Sequence, residues 1–319
     1  MLDTTIAVPI PRYTLEMNII IDTDVGYDDL LAILYLMNCP DITIDAFTVV
    51  NGISAVTDGS NALLSLQEML GTKPAIPVYL GADASQQPNS LPAAYQGEAK
   101  ALGWPQPKRL KAETQSAGDY LTDQFKKTDT TVLAIGPLTN LAVALPVSNT
   151  TNVIAVYAMG GAFKVNGDLE PSPPYPSDVE ANFYVDPAAA ATVMANATRS
   201  YLVPLDACNQ VPITTDFITS FQAIPSKNQK PNWSCASKIL NAASAAFGAD
   251  YYAWDELAAM ALNWNNVLSD QEQSGVVVEQ VASGNLSPGK TTITTGWTGI
   301  FYAASSTQFN SDFLAAFSK

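Results

Sequence analysis

The run from Asn18 to Asp29, Asn-Ile-Ile-Ile-Asp-Thr-Asp-Val-Gly-Tyr-Asp-Asp, constrains this chain more than any other stretch. Three successive isoleucines read as a buried β-strand. Four carboxylates, Asp22, Asp24, Asp28 and Asp29, follow within eight residues, and the apolar segment 30–37 after them reads as a helix. The order is therefore strand, tight turn, helix. Like charges packed this densely at a buried strand end repel one another unless a cation neutralises them. Ligands that are all oxygen select a hard ion, Ca²⁺ or Mg²⁺, and Gly26 is expected to supply the backbone freedom of a sharp ligand loop.

Three bland or rival readings fit less well. An EF-hand loop needs a preceding helix and Glu at its twelfth position, where counting from Asp22 or Asp24 gives Ile33 or Tyr35. A phosphatase with an aspartate nucleophile would also place Asp-x-Asp after a strand, but no later Lys and acidic pair completes it. A solvated acidic turn capping a helix accounts for one or two aspartates and not for four behind a buried strand.

Along the chain, strand-like runs alternate with helical patterns. Segments 42–50, 76–80, 131–135, 152–159 and 200–205 read as strands, and 58–70 and 188–195 as helices, the first ending at Gly71 and the second started by Asp186-Pro187. This alternation predicts a single α/β domain with a mostly parallel central sheet, helices on both faces, and the site at the carboxyl ends of the strands. Polar residues at those ends include Asp24, Asn51 and Asp206. Segments 86–111 and 164–178 lack a period and read as long loops, the kind that wall a pocket. No composition break marks a linker, so residues 1–17 form an extension ahead of one domain, 18–319.

Composition excludes several chemistries. The chain has no histidine, which removes every Ser-His or Cys-His nucleophile and every histidine-ligated metal site. With 15 Lys and Arg against 30 Asp and Glu, no basic patch for nucleic acid or an anionic membrane is expected. No apolar run reaches a bilayer span, and no signal-peptide pattern opens the chain. Cys39, Cys208 and Cys235 are odd in number, far apart and without zinc spacing, so they read as buried free thiols. Sequons at Asn149, Asn196, Asn232 and Asn285, the low lysine content and the leading extension incline slightly toward an extracellular protein over a cytoplasmic one. What remains is carboxylate chemistry with a hard metal. A carboxylate beside a cation-polarised water suits a substrate whose bond breaks largely ahead of attack.

The same residues carry a family resemblance. Asp22-Thr-Asp24-Val-Gly26-Tyr-Asp28-Asp29, then Ile135-Gly-Pro-Leu-Thr-Asn-Leu-Ala142, Met159-Gly-Gly-Ala162, Glu180-Ala-Asn182 with Asp186-Pro187, and Tyr251-Tyr-Ala-Trp-Asp255 resemble, in order and spacing, the motifs of the inosine-uridine-preferring nucleoside hydrolases. The resemblance runs from about residue 18 to the end. It implies a nucleoside hydrolase fold, a bound Ca²⁺ and a homo-oligomer, dimer or tetramer. It further implies that Asp24 binds the ion and acts as general base, that Asp29, Asp255 and the Ile135 carbonyl are further ligands, and that Asp22 orients the loop from behind. Asp28, Asn182 and Asp255 would hold the ribose 2′ and 3′ hydroxyls, and Glu180 and Asp168 the 5′ hydroxyl.

Two positions depart from the family pattern. Asn51-Gly52 stands where the family has Gly-Asn, which unsettles the substrate contact expected of Asn51, and Gly167 is followed by Asp168 where the family has Asn. Trp254, before Asp255, resembles the purine-specific subclass, in which an indole stacks on the base; the broader members carry His there. Stacking on an electron-rich indole favours a purine that gains positive charge, and N7 of a purine can take its proton from solvent. Tyr95 is the expected second stacking residue, with Trp104 the alternative. The expectation is a calcium-dependent purine nucleoside N-ribohydrolase. The rival functions are a non-catalytic Ca²⁺-dependent nucleoside- or sugar-binding protein and a hydrolase of another N-riboside.

Overall fold

The computed structural model describes residues 16–148, 152–169, 174–263, 266–281 and 287–319. Most of the leading extension, part of the second long loop and the sequons at Asn149 and Asn285 lie outside these residues.

The first half alternates β1 (Met17–Thr23), α1 (Tyr27–Leu36), β2 (Ile42–Val49), α2 (Val56–Leu70) and β3 (Val78–Leu80). A long, mostly irregular segment carrying two 3₁₀ turns, Ala84–Gln86 and Ala93–Tyr95, and the short α3 (Glu98–Ala101) leads to α4 (Ala117–Lys127), β4 (Thr130–Ala134), α5 (Thr139–Ser148) and β5 (Ile154–Met159). Then come α6 (Ala181–Val185), α7 (Pro187–Asn196), β6 (Arg199–Val203) and the helices α8 (Leu205–Cys208), α9 (Thr215–Gln222), α10 (Trp233–Phe247) and α11 (Asp255–Ala261). The chain closes with β7 (Leu268–Val278), β8 (Thr291–Ala304) and α12 (Ser306–Ala316).

The eight strands form one sheet in the order β3-β2-β1-β4-β5-β6-β8-β7. Every pairing is parallel except β7 with β8 at the edge. Both faces are covered. Ile19 and Ile21 of β1 point into one apolar cluster and Ile20 into the other, which is why this strand reads as an unbroken apolar run rather than an alternating one. The chain leaves β1 for β2 and β3 on one side and returns through β4 to its other side. The order reverses between β1 and β4, and the crevice that such a switch point opens lies outside their carboxyl ends, where Asp24 and Ile135 stand.

Local signals explain the helix ends. Gly71 caps α2 in the left-handed region at φ 65°. Asp186 caps α7 by accepting the Ala189 N–H, with Pro187 in the first turn, where its missing N–H costs nothing. Strand ends differ from expectation by a residue or two, and β6 stops at Val203 because Leu205 to Cys208 turns into α8. The β7–β8 hairpin has no counterpart in the sequence reading: residues 269–273 of β7 are polar and exposed, so no apolar run announces them. Among the described residues no helix is long and apolar enough to cross a membrane.

Candidate functional site

The turn between β1 and α1 is built by its own carboxylates. Val25, fully buried, takes φ 59°, a left-handed conformation that a β-branched residue adopts only under constraint, at a cost on the order of 1–3 kcal/mol. The sharp bend expected of Gly26 is therefore made at Val25. Gly26 itself is extended, with φ −80°, and is needed for space: a Cβ there would come within 2.9 Å of Asp28 Oδ1 and 3.0 Å of Asp29 Oδ2. The N–H of Gly26 donates to Asp29 Oδ2 at 2.7 Å, and the Thr23 hydroxyl donates to Asp29 Oδ1. Behind the turn, Asp22 accepts from the Thr48 hydroxyl and from Asn140 Nδ2, while Asn140 Oδ1 takes the Ala82 N–H and so ties the start of the first long loop to the strand end.

Asp24 leans over the carboxyl end of β2. Its Oδ2 accepts the Ile53 N–H at 2.7 Å, and a Cβ on Gly52 would stand 1.9 Å from that same oxygen. The Asn51-Gly52 order thus has a physical cause: backbone at 52 and 53 cradles the carboxylate. Gly52→Ala is expected to push Asp24 out of place and to cut kcat at least tenfold with only a small fall in melting temperature, readable by steady-state kinetics beside thermal unfolding. Asn51 is a correction to expectation. Its side chain faces Gln87, donating to Oε1 at 3.0 Å, and it does not line the cavity described next.

That cavity, about 410 Å³, opens at the switch point and is within the range of small-molecule sites. It brings together Asp24, Asp28, Asp29, Ile135, Asp168, Glu180, Asn182, Trp254, Asp255 and Tyr95, parts of the chain more than 200 residues apart. Carboxylate oxygens of Asp28, Asp29 and Asp255 lie within 4.8 Å of one another. Across the cavity Glu180 caps α6, filling its carboxylate with the N–H groups of Gly161, Asn182 and Phe183. Asp168 accepts the Ala181 N–H, and the Tyr95 hydroxyl donates to the Asp168 carbonyl at 3.1 Å. Trp254 packs at 77° against Tyr251 and at 76° against Phe247.

Burial dominates the electrostatics. It pushes Asp28 up to about 7, with Asp29 adding repulsion, and Asp22 likewise to about 7 despite the bonds from Thr48 and Asn140. Asp24 and Asp255 are driven well above the usual carboxylate range by burial and then by their acidic neighbours. Glu180 is raised to about 7 by burial against three backbone donors that pull the other way. Such a constellation binds protons or a cation. The residues fit a hard divalent ion: oxygen donors only, no basic side chain among the cavity's lining, and a mutual repulsion that such an ion relieves.

Three further placements differ from the sequence reading. Trp104 stands in a separate small pocket with Lys100 and Asp58, away from the site. Asp206 holds the loop after β5 by accepting the N–H groups of Phe163 and Lys164, and does not line the cavity. Glu98 joins the site without having been expected there: it lines the cavity, accepts the Tyr27 N–H at 2.7 Å at the start of α1, and is pushed up to about 9 by burial and by Asp28. Its only sequence signal is an acid within an otherwise Pro-, Gln- and Ala-rich loop.

The family model described as inosine-uridine preferring nucleoside hydrolase matches residues 19–311. The chain belongs to this nucleoside hydrolase family. Uridine nucleosidase 1 of Arabidopsis thaliana is 32% identical over 66% of this chain and 63% of its own length. The pyrimidine-specific ribonucleoside hydrolase RihB of Escherichia coli is 28% identical over 65% of each chain. The matched region thus spans just under two-thirds of these two curated relatives. Among solved structures, a purine-preferring ribonucleoside hydrolase from Gardnerella vaginalis superposes with a TM-score of 0.81 at 20% identity, covering 94% of this chain and 98% of that one. At that identity the likeness speaks for the fold alone, and the relatives of this chain divide between purine and pyrimidine names.

Proposed function

We propose that this nucleoside hydrolase cleaves the N-glycosidic bond of purine ribonucleosides, with calcium held by Asp24, Asp29, Asp255 and the Ile135 carbonyl. The observation that carries the reading is the juxtaposition of the buried carboxylate cluster with Trp254 in one cavity. When bound, the ion supplies positive charge that neutralises the cluster and makes a neighbouring water more acidic. Asp24, fixed by the Ile53 N–H, is oriented to take that water's proton. Asp28 and Asn182 grip the 2′ and 3′ hydroxyls, and Asp168 with Glu180 the 5′ end, so that the ribose is held while its C–N bond lengthens and positive charge develops on the ring. Carboxylates around the ring stabilise that charge. Trp254 and Tyr95 offer faces to the base, and Asp22 holds the strand end from behind.

The assay that tests this measures release of base and ribose from inosine and from uridine, each with Ca²⁺ and with a chelator. Inosine turnover abolished by the chelator is the expected result; comparable turnover of uridine would sink the purine assignment. Trp254→Ala should cost about tenfold or more in kcat/KM for inosine, the scale of a lost base–aromatic stack. An equal loss for every substrate would reduce Trp254 to packing.

A further inference from the structure

We propose that Ser54 and Glu98 are positioning residues for the hydrolysis: they strut the loop that presents Tyr95 against the carboxylate turn, and they act on the nucleoside through Tyr95. The inference rests on the hydrolytic reading above and adds to it two side chains that the fold, and no motif, brings into play.

Between β2 and α2 the backbone at 52–54 lies against the turn that follows β1. The Ile53 N–H donates to Asp24 Oδ2 at 2.7 Å, and the Ser54 N–H donates to the Asp24 carbonyl at 3.1 Å. The Ser54 hydroxyl is buried and donates to the Val25 carbonyl at 3.0 Å. It therefore bonds directly to the residue that takes the left-handed conformation in this turn.

The other side of the same segment receives the wall loop, through three successive residues. Gly97, at φ 92°, donates its N–H to the Ile53 carbonyl at 2.7 Å. Glu98 Oε2 accepts the Tyr27 N–H at 2.7 Å, and the Ala99 N–H donates to Ser54 Oγ at 3.1 Å. One oxygen, Ser54 Oγ, thus gives to the turn and takes from the loop, while Glu98 makes a second link from the loop to the first residue of α1. Tyr95 stands two residues before Gly97 and lines the cavity. The far end of α3 keeps its own anchor, Lys238 Nζ on the Leu102 carbonyl, so the loss of one link slackens the Tyr95 end without releasing the whole loop. Substrate contacts respond to displacements on the order of 1 Å, and that slack is expected to reach the base.

The test is a double-mutant cycle on inosine hydrolysis by the full chain at saturating Ca²⁺, with thermal unfolding and equilibrium inosine binding measured beside it. Glu98→Ala is expected to raise KM about tenfold, the scale of one buried hydrogen bond lost, with kcat held within about threefold. Ser54→Ala slackens both sides and should raise KM about tenfold while lowering kcat about fivefold. Glu98→Gln should bring KM back to within about twofold of the unaltered chain, because its amide oxygen accepts the same Tyr27 N–H. In a Tyr95→Ala chain, Glu98→Ala should change KM by less than about twofold, since residues acting through one contact are not additive. Equal damage from Gln and Ala at position 98 overturns the proposal, as does full multiplication of the Glu98 and Tyr95 effects. So does an unmoved KM in Ser54→Ala, whatever its melting temperature. If the unaltered chain binds inosine without hydrolysing it, the hydrolytic reading falls, and the same cycle read in dissociation constants still decides whether the strut acts through Tyr95. If it neither binds nor hydrolyses inosine, both fall.

Discussion

Asp24→Asn is expected to lower kcat for inosine by about 10²- to 10⁴-fold, the range over which a positioned general base acts, while nucleoside affinity stays within about threefold. The substitution is nearly isosteric, and an amide oxygen can still accept the Ile53 N–H that now reaches Asp24 Oδ2 at 2.7 Å. What an amide cannot do is take a proton from water. Steady-state kinetics beside equilibrium binding of inosine separates the possibilities. Turnover lost with binding kept identifies Asp24 as the base and dismisses a non-catalytic binding protein. Parallel loss of both would make it only a ligand of the ion, and retained turnover would sink its assignment altogether. The Gly52→Ala variant approaches the same carboxylate from the other side, moving it instead of neutralising it, so both should lower kcat and the two should differ in pH profile.

Much of this site was legible because its chemistry is local in sequence. The carboxylates of β1 and α1 sit within one turn, and the buried strand before them could only end at a sheet's carboxyl edge. The alternation of strands and helices carried the parallel sheet, and Gly71 and Asp186-Pro187 marked helix ends by conformational preferences that need no tertiary partner. Residue type alone, however, does not say where a loop side chain points. Asn51 and Asp206 follow strand ends as expected, yet one turns to Gln87 and the other to the backbone of Phe163 and Lys164. Trp104 and Tyr95 share one aperiodic loop, and only the fold separates them, Tyr95 lining the cavity with its hydroxyl on the Asp168 carbonyl and Trp104 lying in another pocket. Glu98 and the β7–β8 hairpin were hidden for related reasons: an acid in a loop and a polar edge strand carry no periodic signal. The turn shows the same limit in reverse, since Gly26 was the obvious bend and the strain sits on Val25.

The stability of the metal-free protein is expected to fall as pH rises from about 4 to about 7. Asp22 and Asp28 have folded-state values near 7 against 3.8 for the free side chain, so between those limits the folded chain holds protons that the unfolded chain has released. Stability must then decrease with pH across that window, in contrast to a protein whose paired carboxylates are lowered on folding. A tenfold change in proton affinity corresponds to about 1.4 kcal/mol per group, and even a heavily discounted total of a few kcal/mol displaces the melting temperature of a chain this size by about 5 °C. Unfolding followed in a chelator at pH 5 and at pH 8 should therefore show the lower melting temperature at pH 8. Added Ca²⁺ should reverse the difference, because it binds ionised carboxylates and stabilises the fold to an extent that grows with ion concentration over its dissociation constant. A chelated protein equally stable at both pH values would mean that the cluster is relieved by some other partner. A Ca²⁺ effect larger at pH 5 than at pH 8 would contradict carboxylate ligation itself, since protons compete with the ion for the ligands. Asp22→Asn separates the two contributions: Asp22 lies behind the turn, bonded to Thr48 and Asn140, so its replacement should flatten part of the pH slope while leaving in place the Ca²⁺ response, which the proposed ligation assigns to Asp24, Asp29 and Asp255.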